Sequence, residues 1–212
     1  MVAVRTGDLD FRPSKIDSDL DLLARWRAGD QVGGRDLFAR YFEQLHRFFA
    51  NKCNEPDEMV QLTFLALLKA RDQFAGRSSF RTYVFTIARN ELYRHVRKLT
   101  SDRRFDPEVS SFAQVATTVG TRLARNQEHR LMCAALRTLP LEQQTLLELH
   151  YWEDVDIAAL SEIFDTEPAT MRMRLHRARA ALREAMLSNK AAPPQALASL
   201  ETLDTWARGA AR

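Results

Sequence analysis

Cysteine occurs only twice in the 212 residues, at Cys53 and Cys133, in different halves of the chain; a disulfide framework is excluded as the organising principle and reduced thiols are expected. Long apolar runs are missing too. No charge-free stretch reaches the length that crosses a bilayer, and residues 1–16 scatter Arg5, Asp8, Asp10, Arg12 and Lys15 among isolated apolar side chains, unlike the continuous core of a signal peptide. A cytoplasmic protein without membrane insertion is the expectation. Alternating β-type runs are likewise absent. So are a Gly-rich phosphate loop, a nucleophile elbow and clustered catalytic carboxylates, which leaves an enzymatic role with little support. His129 and Cys133 stand at i, i+4, a spacing that can hold a metal, but two ligands without a third nearby do not make a site, and neither metal nor cofactor is expected.

What the chain does have is 45% hydrophobic residues, enough for two small cores, and a formal charge of only +3 in which Arg far outnumbers Lys. The informative question is therefore where the positive charges gather. Apolar residues at helical spacing fall into two blocks, 17–99 and 126–187, both rich in Leu, Ala, Arg and Glu, so the fold class is all-α: two small helical domains. Between them, residues 100–125 carry Asp106-Pro107, paired Ser and Thr, and Gly120, the composition of a flexible linker with a mildly acidic centre at Asp102, Asp106 and Glu108. Residues 1–16 form an N-terminal extension. Residues 188–212 form a C-terminal tail in which Leu197, Leu200, Leu203 and Trp206 could make one further short helix.

Within the first block, helices are expected over about 19–26, 34–53, 57–72 and 80–98. The third is apolar around most of its circumference: Met59, Val60, Leu62, Phe64, Leu65, Leu67 and Leu68 cannot all point into one small core, so either the helix is central and packed on several sides or part of that surface meets a partner. On the fourth, Phe80, Tyr83, Val84 and Ile87 form a core stripe, while Asn90, Arg94 and Arg97 form a polar one at i, i+4 and i+7. Arg89, His95 and Lys98 add positive potential beside it, and Asn is suited to paired hydrogen bonds with a base edge.

The second block ends in the most specific pattern. Residues 157–164 make a short amphipathic helix, Asp165 suits a left-handed turn, and Pro168 pre-sets the first turn of a helix running to about 186. Met171, Leu175, Ala178 and Leu182 give that helix a core stripe, and one residue along lie Arg172, His176, Arg179 and Arg183, flanked by Arg174 and Arg177. This is a helix-turn-helix whose second helix turns a cationic side outward, as reading a major groove requires. Residues 136–152, divided at Pro140, supply two buttressing helices.

The order and separation of these motifs resemble the extracytoplasmic-function (ECF) sigma factors of the sigma-70 superfamily over about residues 19–187. DEMVQLTF at 57–64 looks like the family helix that docks on the polymerase clamp, SFRTYVFTIARN at 79–90 like its promoter-opening segment, and RLHRAR at 174–179 like its C-terminal reading helix. The resemblance implies a non-enzymatic factor that brings core RNA polymerase to promoters, with the β′ clamp and β flap and the promoter DNA as partners and an anti-sigma factor as a further one. It places polymerase contacts at Asp57, Glu58, Val60, Gln61 and Phe64, and minus-ten contacts at Phe74, Arg77, Ser78, Ser79, Asn90, Arg94 and Arg97. Minus-thirty-five contacts fall at Thr170, Arg172, Met173, Arg174, Arg177 and Arg179. Phe74 and Asn90 match positions that form a pocket for a flipped base, whose capture offsets unstacking without ATP. Leu62 and Met173 depart from the family's usual acidic and small polar residues. The rival reading, a repressor or activator that binds DNA without polymerase, explains the second block but leaves the first without a ligand pocket or phosphoacceptor pattern.

Overall fold

The computed structural model describes residues 18–100, 105–111 and 127–188, and among these it contains eight α-helices and no strand. The N-terminal extension, the C-terminal tail and the centre of the linker lie outside the described residues. Helix α1, Asp19–Arg27, opens with a capping box in which Ser18 accepts from the backbone N–H of Asp21 while the Asp21 carboxylate accepts from that of Ser18. It ends at Gly29, whose φ of 98° turns the chain back. Asp30 then caps α2 by accepting from the N–H of Val32 at 2.9 Å, and Arg25 holds the same side chain at 2.9 Å, which draws its pKa down.

That cap starts α2, Gln31–Ala50, three residues earlier than the sequence suggests and takes Gly33 and Gly34 into the helix. Both glycines are required there by the close approach of α1. A Cβ at Gly33 would stand 2.7 Å from the carbonyl oxygen of Leu22, and one at Gly34 would stand 2.6 Å from Nε1 of Trp26. Helix α3, Pro56–Ala70, begins with Pro56 in its first turn and Asp57 and Glu58 at its positive end. Helix α4 spans Phe80–Thr100. Leu37, Leu45 and Phe49 of α2 pack with Met59, Val60 and Leu67 of α3 and with Val84, Phe85 and Leu92 of α4 to form the first core.

The second half is built from α5, Gln127–Thr138, α6, Leu141–Tyr151, α7, Ile157–Ile163, and α8, Pro168–Ser188. Asp156 caps α7 through the N–H of Ala159 at 2.8 Å. Asp165 has φ 50°, the left-handed value that lets the chain turn between α7 and α8. The described part of the linker is docked rather than free. Phe105 is buried, the N–H of Leu141 donates to the carbonyl of Ser110 and that of Glu142 to the carbonyl of Pro107, both at 2.9 Å, so residues 105–111 cover the start of α6.

The two halves pack directly against each other. Helix α4 lies along α7, and the C-terminal end of α2 meets α6, with a buried polar network at the junction.

Candidate nucleic-acid interface

Met171, Leu175, Ala178, Leu182 and Met186 of α8 are buried, and each long apolar side chain of such a stripe contributes about 1.5–3 kcal/mol. Exposed charges contribute well under about 1 kcal/mol apiece, so the apolar stripe sets the helix orientation. Its outward side then carries Arg172, Met173, His176, Arg177, Arg179 and Arg183, all exposed. Met173, 50% exposed, is the one large apolar group in this cationic field, and its sulfur lies 3.6 Å from Nη2 of Arg177. Thr170 is half-buried near the N-terminal end of α8, and Arg179 packs over the Tyr151 ring at 5.4 Å.

Arg174 is placed differently. Its side chain is half-buried, Nη1 donates to Glu142 at 2.7 Å, and Nη2 lies 3.8 Å from Glu108 of the docked linker. Burial pushes the Glu142 carboxyl above the ordinary range, and Arg174 opposes that rise. Arg174 therefore ties α8 to α6 and the linker.

On α4, Arg89, Asn90, Tyr93, Arg94, Arg97 and Lys98 line one cleft of about 540 Å³. Asn90 and Arg94 are exposed, and Arg94 donates to the buried Glu91 at 2.7 and 2.9 Å, which fixes its guanidinium on the rim. Tyr93 and Arg89 were not among the expected contacts; Tyr93 is buried, and its hydroxyl has no hydrogen-bond partner among the described residues. Burial also draws the pKa of His95 down. The loop before α4 is positioned by Arg27, which donates to the carbonyl of Phe74 at 2.8 Å, and by Gly76 with φ 70°. Phe74 itself is 7% exposed, edge-on to Phe80 and tilted against Tyr83. Its ring thus fills the base of the loop, while Arg77 is exposed and Ser78 half-buried. The hydroxyl of Ser79 accepts from the N–H of Thr82 at 3.0 Å and serves as the cap of α4.

Helix α3 offers Asp57, Glu58 and Gln61 on its surface, together with Leu65 at 53% and Leu68 at 47% exposure. Val60 is fully buried, and Phe64 is half-buried and stacked on Phe38 at 4.3 Å. The exposed apolar pair is Leu65 and Leu68, on the helix that the sequence marks as too apolar for its core.

Two family models match this chain: Sigma-70 region 2 over residues 37–102 and Sigma-70, region 4 over residues 130–182. The chain belongs to the sigma-70 family, as an ECF sigma factor. It directs RNA polymerase to promoters; the region 2 match falls on α2–α4 and the region 4 match on α5–α8. Among similar proteins, the ECF RNA polymerase sigma-E factor of Haemophilus influenzae is 26% identical over 83% of this chain and 96% of its own length. The ECF RNA polymerase sigma factor SigW of Bacillus subtilis is 22% identical over 74% and 91%. Two solved structures share the fold. CnrH in complex with the cytosolic domain of CnrY has a TM-score of 0.61 at 22% identity, covering 82% of this chain and all of that one. The sigma factor RpoE in complex with the anti-sigma factor NepR from Bartonella quintana has a TM-score of 0.54 at 19% identity, covering 74% and 98%.

Region 2 of this sigma factor therefore holds the basic cleft and region 4 the helix-turn-helix. Among the described residues no group of three or more His, Cys, Asp and Glu side chains is arranged to hold a metal, and no helix is long and apolar enough to cross a membrane. Burial raises the thiol pKa of Cys53 and Cys133 to about 12 each.

Proposed function

We propose that the cleft on α4 receives the minus-ten element and that the outward side of α8 reads the minus-thirty-five element, while the exposed part of α3 meets the polymerase β′ clamp. The observation that carries this reading is that each half turns one cationic helix face outward while burying the opposite side. Under it, residues 17–99 are the core-binding and melting module, 100–125 the connector, and 126–187 the upstream-reading module that also meets the β flap. Residues 1–16 and 188–212 are extensions.

In the first module Asn90 reads a base, Arg94 and Arg97 neutralise phosphate, and Phe74 supports the loop of Arg77, Ser78 and Ser79 from below. In the second, Thr170, Arg172, Met173 and Arg177 face base edges, and Arg179 faces the backbone. Arg174 contributes by holding the helix. On α3 the contact set is Asp57, Glu58, Gln61 and Phe64, with Val60 acting from the core. The factor carries no catalytic group of its own, acts in the cytoplasm where polymerase works, and has an anti-sigma factor as a further partner, as RpoE has NepR.

Run-off transcription with core polymerase and a promoter library tests this. Asn90→Ala is expected to lose open complexes while keeping polymerase binding. Arg172→Ala is expected to discriminate less among upstream elements, by a factor corresponding to about 1–3 kcal/mol per lost base contact. Full activity of both variants would overturn the site assignment.

A further inference from the structure

Residues 168–183 of α8 contain no Asp, Glu, Asn or Gln. On the outward side of this stretch only the Thr170 hydroxyl, His176 in its neutral form and the Met173 sulfur can accept a hydrogen bond; the arginines only donate. A face of that chemistry is selective toward bases. It lacks the carboxylates and amides that take the amino groups of cytosine and adenine, whereas guanine offers acceptors to Arg and thymine offers a methyl group to an apolar side chain. Met173 is that apolar side chain. It lies in the second turn of α8, 50% exposed, with Ala169 one turn before it and Arg177 one turn after, both exposed, and with the half-buried Thr170 three residues back. Its sulfur lies 3.6 Å from Nη2 of Arg177, which draws the thioether along the helix surface. Ala169, Thr170 and Met173 thus form a small apolar step between Arg172 and Arg177, at the end of the helix whose residues reach base edges.

From this arrangement we infer that Met173 selects a thymine in the upstream element, packing its thioether against the methyl group that thymine turns into the major groove. The inference rests on the proposed reading of α8 and names the base chosen at one of its positions. An isolated exposed Met needs no partner. This one stands between two cations on the side that docks, so binding takes it out of water whichever base lies opposite. Against thymine it meets a methyl group, and its unbranched, polarizable chain adapts to that shape. Against cytosine or adenine it covers an amino group for which no carboxylate or amide stands nearby on α8, and a polar group buried without a partner is costly. The position therefore discriminates by exclusion as well as by attraction. Guanine is the nearest competitor, because Arg172 or Arg177 can donate to its acceptors.

The test uses the full chain as holoenzyme with core polymerase, on the best template that a random promoter library yields. Each thymine of its minus-thirty-five element is replaced in turn by deoxyuridine, which pairs identically and lacks only the methyl group. At one position the exchange is expected to raise the half-saturating holoenzyme concentration of wild type about fourfold, the effect of returning one methyl group to water. Met173→Ser is expected to bind the thymine and deoxyuridine templates equally, whereas Met173→Leu, apolar and of similar size, keeps the difference. Met173 is outside the core, so neither substitution disturbs the packing of α8. A selected element without a T·A pair overturns the thymine contact, as does deoxyuridine that is silent at every position. So does a penalty that persists undiminished in Met173→Ser. Arg172→Ala on the same templates separates this failure from that of the underlying reading. If that variant discriminates less among upstream elements while deoxyuridine is silent, α8 reads the element without a methyl contact. If Arg172→Ala and Met173→Ser both match wild type on every template, α8 does not read the element and the two readings fall together.

Discussion

Arg174 shows how far a single side chain's meaning depends on its neighbours. Its position in the sequence reads as one more cation on a DNA-facing helix, and the motif around it carries the family resemblance. Its guanidinium is instead held by Glu142 and Glu108, both outside α8. Arg174→Ala is expected to lower the stability of region 4 by roughly 1 kcal/mol at neutral pH, because it leaves a partly buried carboxylate with one fewer donor. The sign of the pH dependence follows from Glu142. Its pKa is already raised by burial, and loss of Arg174 raises it further, so the folded state favours the protonated form more strongly. The deficit of the variant should therefore grow as pH rises above the ordinary carboxylate range near 4.5 and shrink below it. Chemical denaturation at pH 4 and pH 7 measures it, and an equal deficit at both values would contradict the assigned role.

At the scale of the helix, what was legible in the sequence is what local periodicity encodes. The buried stripe Met171, Leu175, Ala178 and Leu182 is a 3.6-residue pattern, and the turn at Asp165 is a local backbone preference. Both could be read without knowing any neighbour. The start of α2 could not. Two consecutive glycines look like a break, and only the approach of Leu22 and Trp26 makes them helical residues that close-pack against α1. Gly34→Ala should consequently destabilise region 2, although alanine is the better helix former, by about 1–3 kcal/mol as Trp26 is displaced. A thermal melt of the variant decides this; a raised melting temperature would show that the contact yields easily.

At the scale of the whole molecule, the sequence displayed two cores but not how they meet. Lys52 lies among Phe48, Phe49 and Cys53, and Glu148 among Leu146, Leu147 and Leu149; each is a charge set in an apolar run, the one sequence signal that a buried partner exists. Which charge pairs with which is a long-range fact that no local pattern holds. The outer surface follows the same logic in reverse. Leu65 and Leu68 are exposed and contribute little to the folded core, so Leu65→Ser with Leu68→Ser should leave the melting temperature nearly unchanged while weakening core polymerase binding at least about tenfold. Competition binding against wild type checks this, and equal affinity would move the polymerase contact off this side of α3.

The span between Lys52 and Glu148 is 96 residues of chain. A ribosome adding about 5–20 residues per second therefore makes Lys52 roughly 5–20 s before Glu148, the carboxylate that will cover it. During each round of synthesis the nascent N-terminal half therefore stands uncapped, with the Lys52 ammonium in water until its partner carboxylate is added.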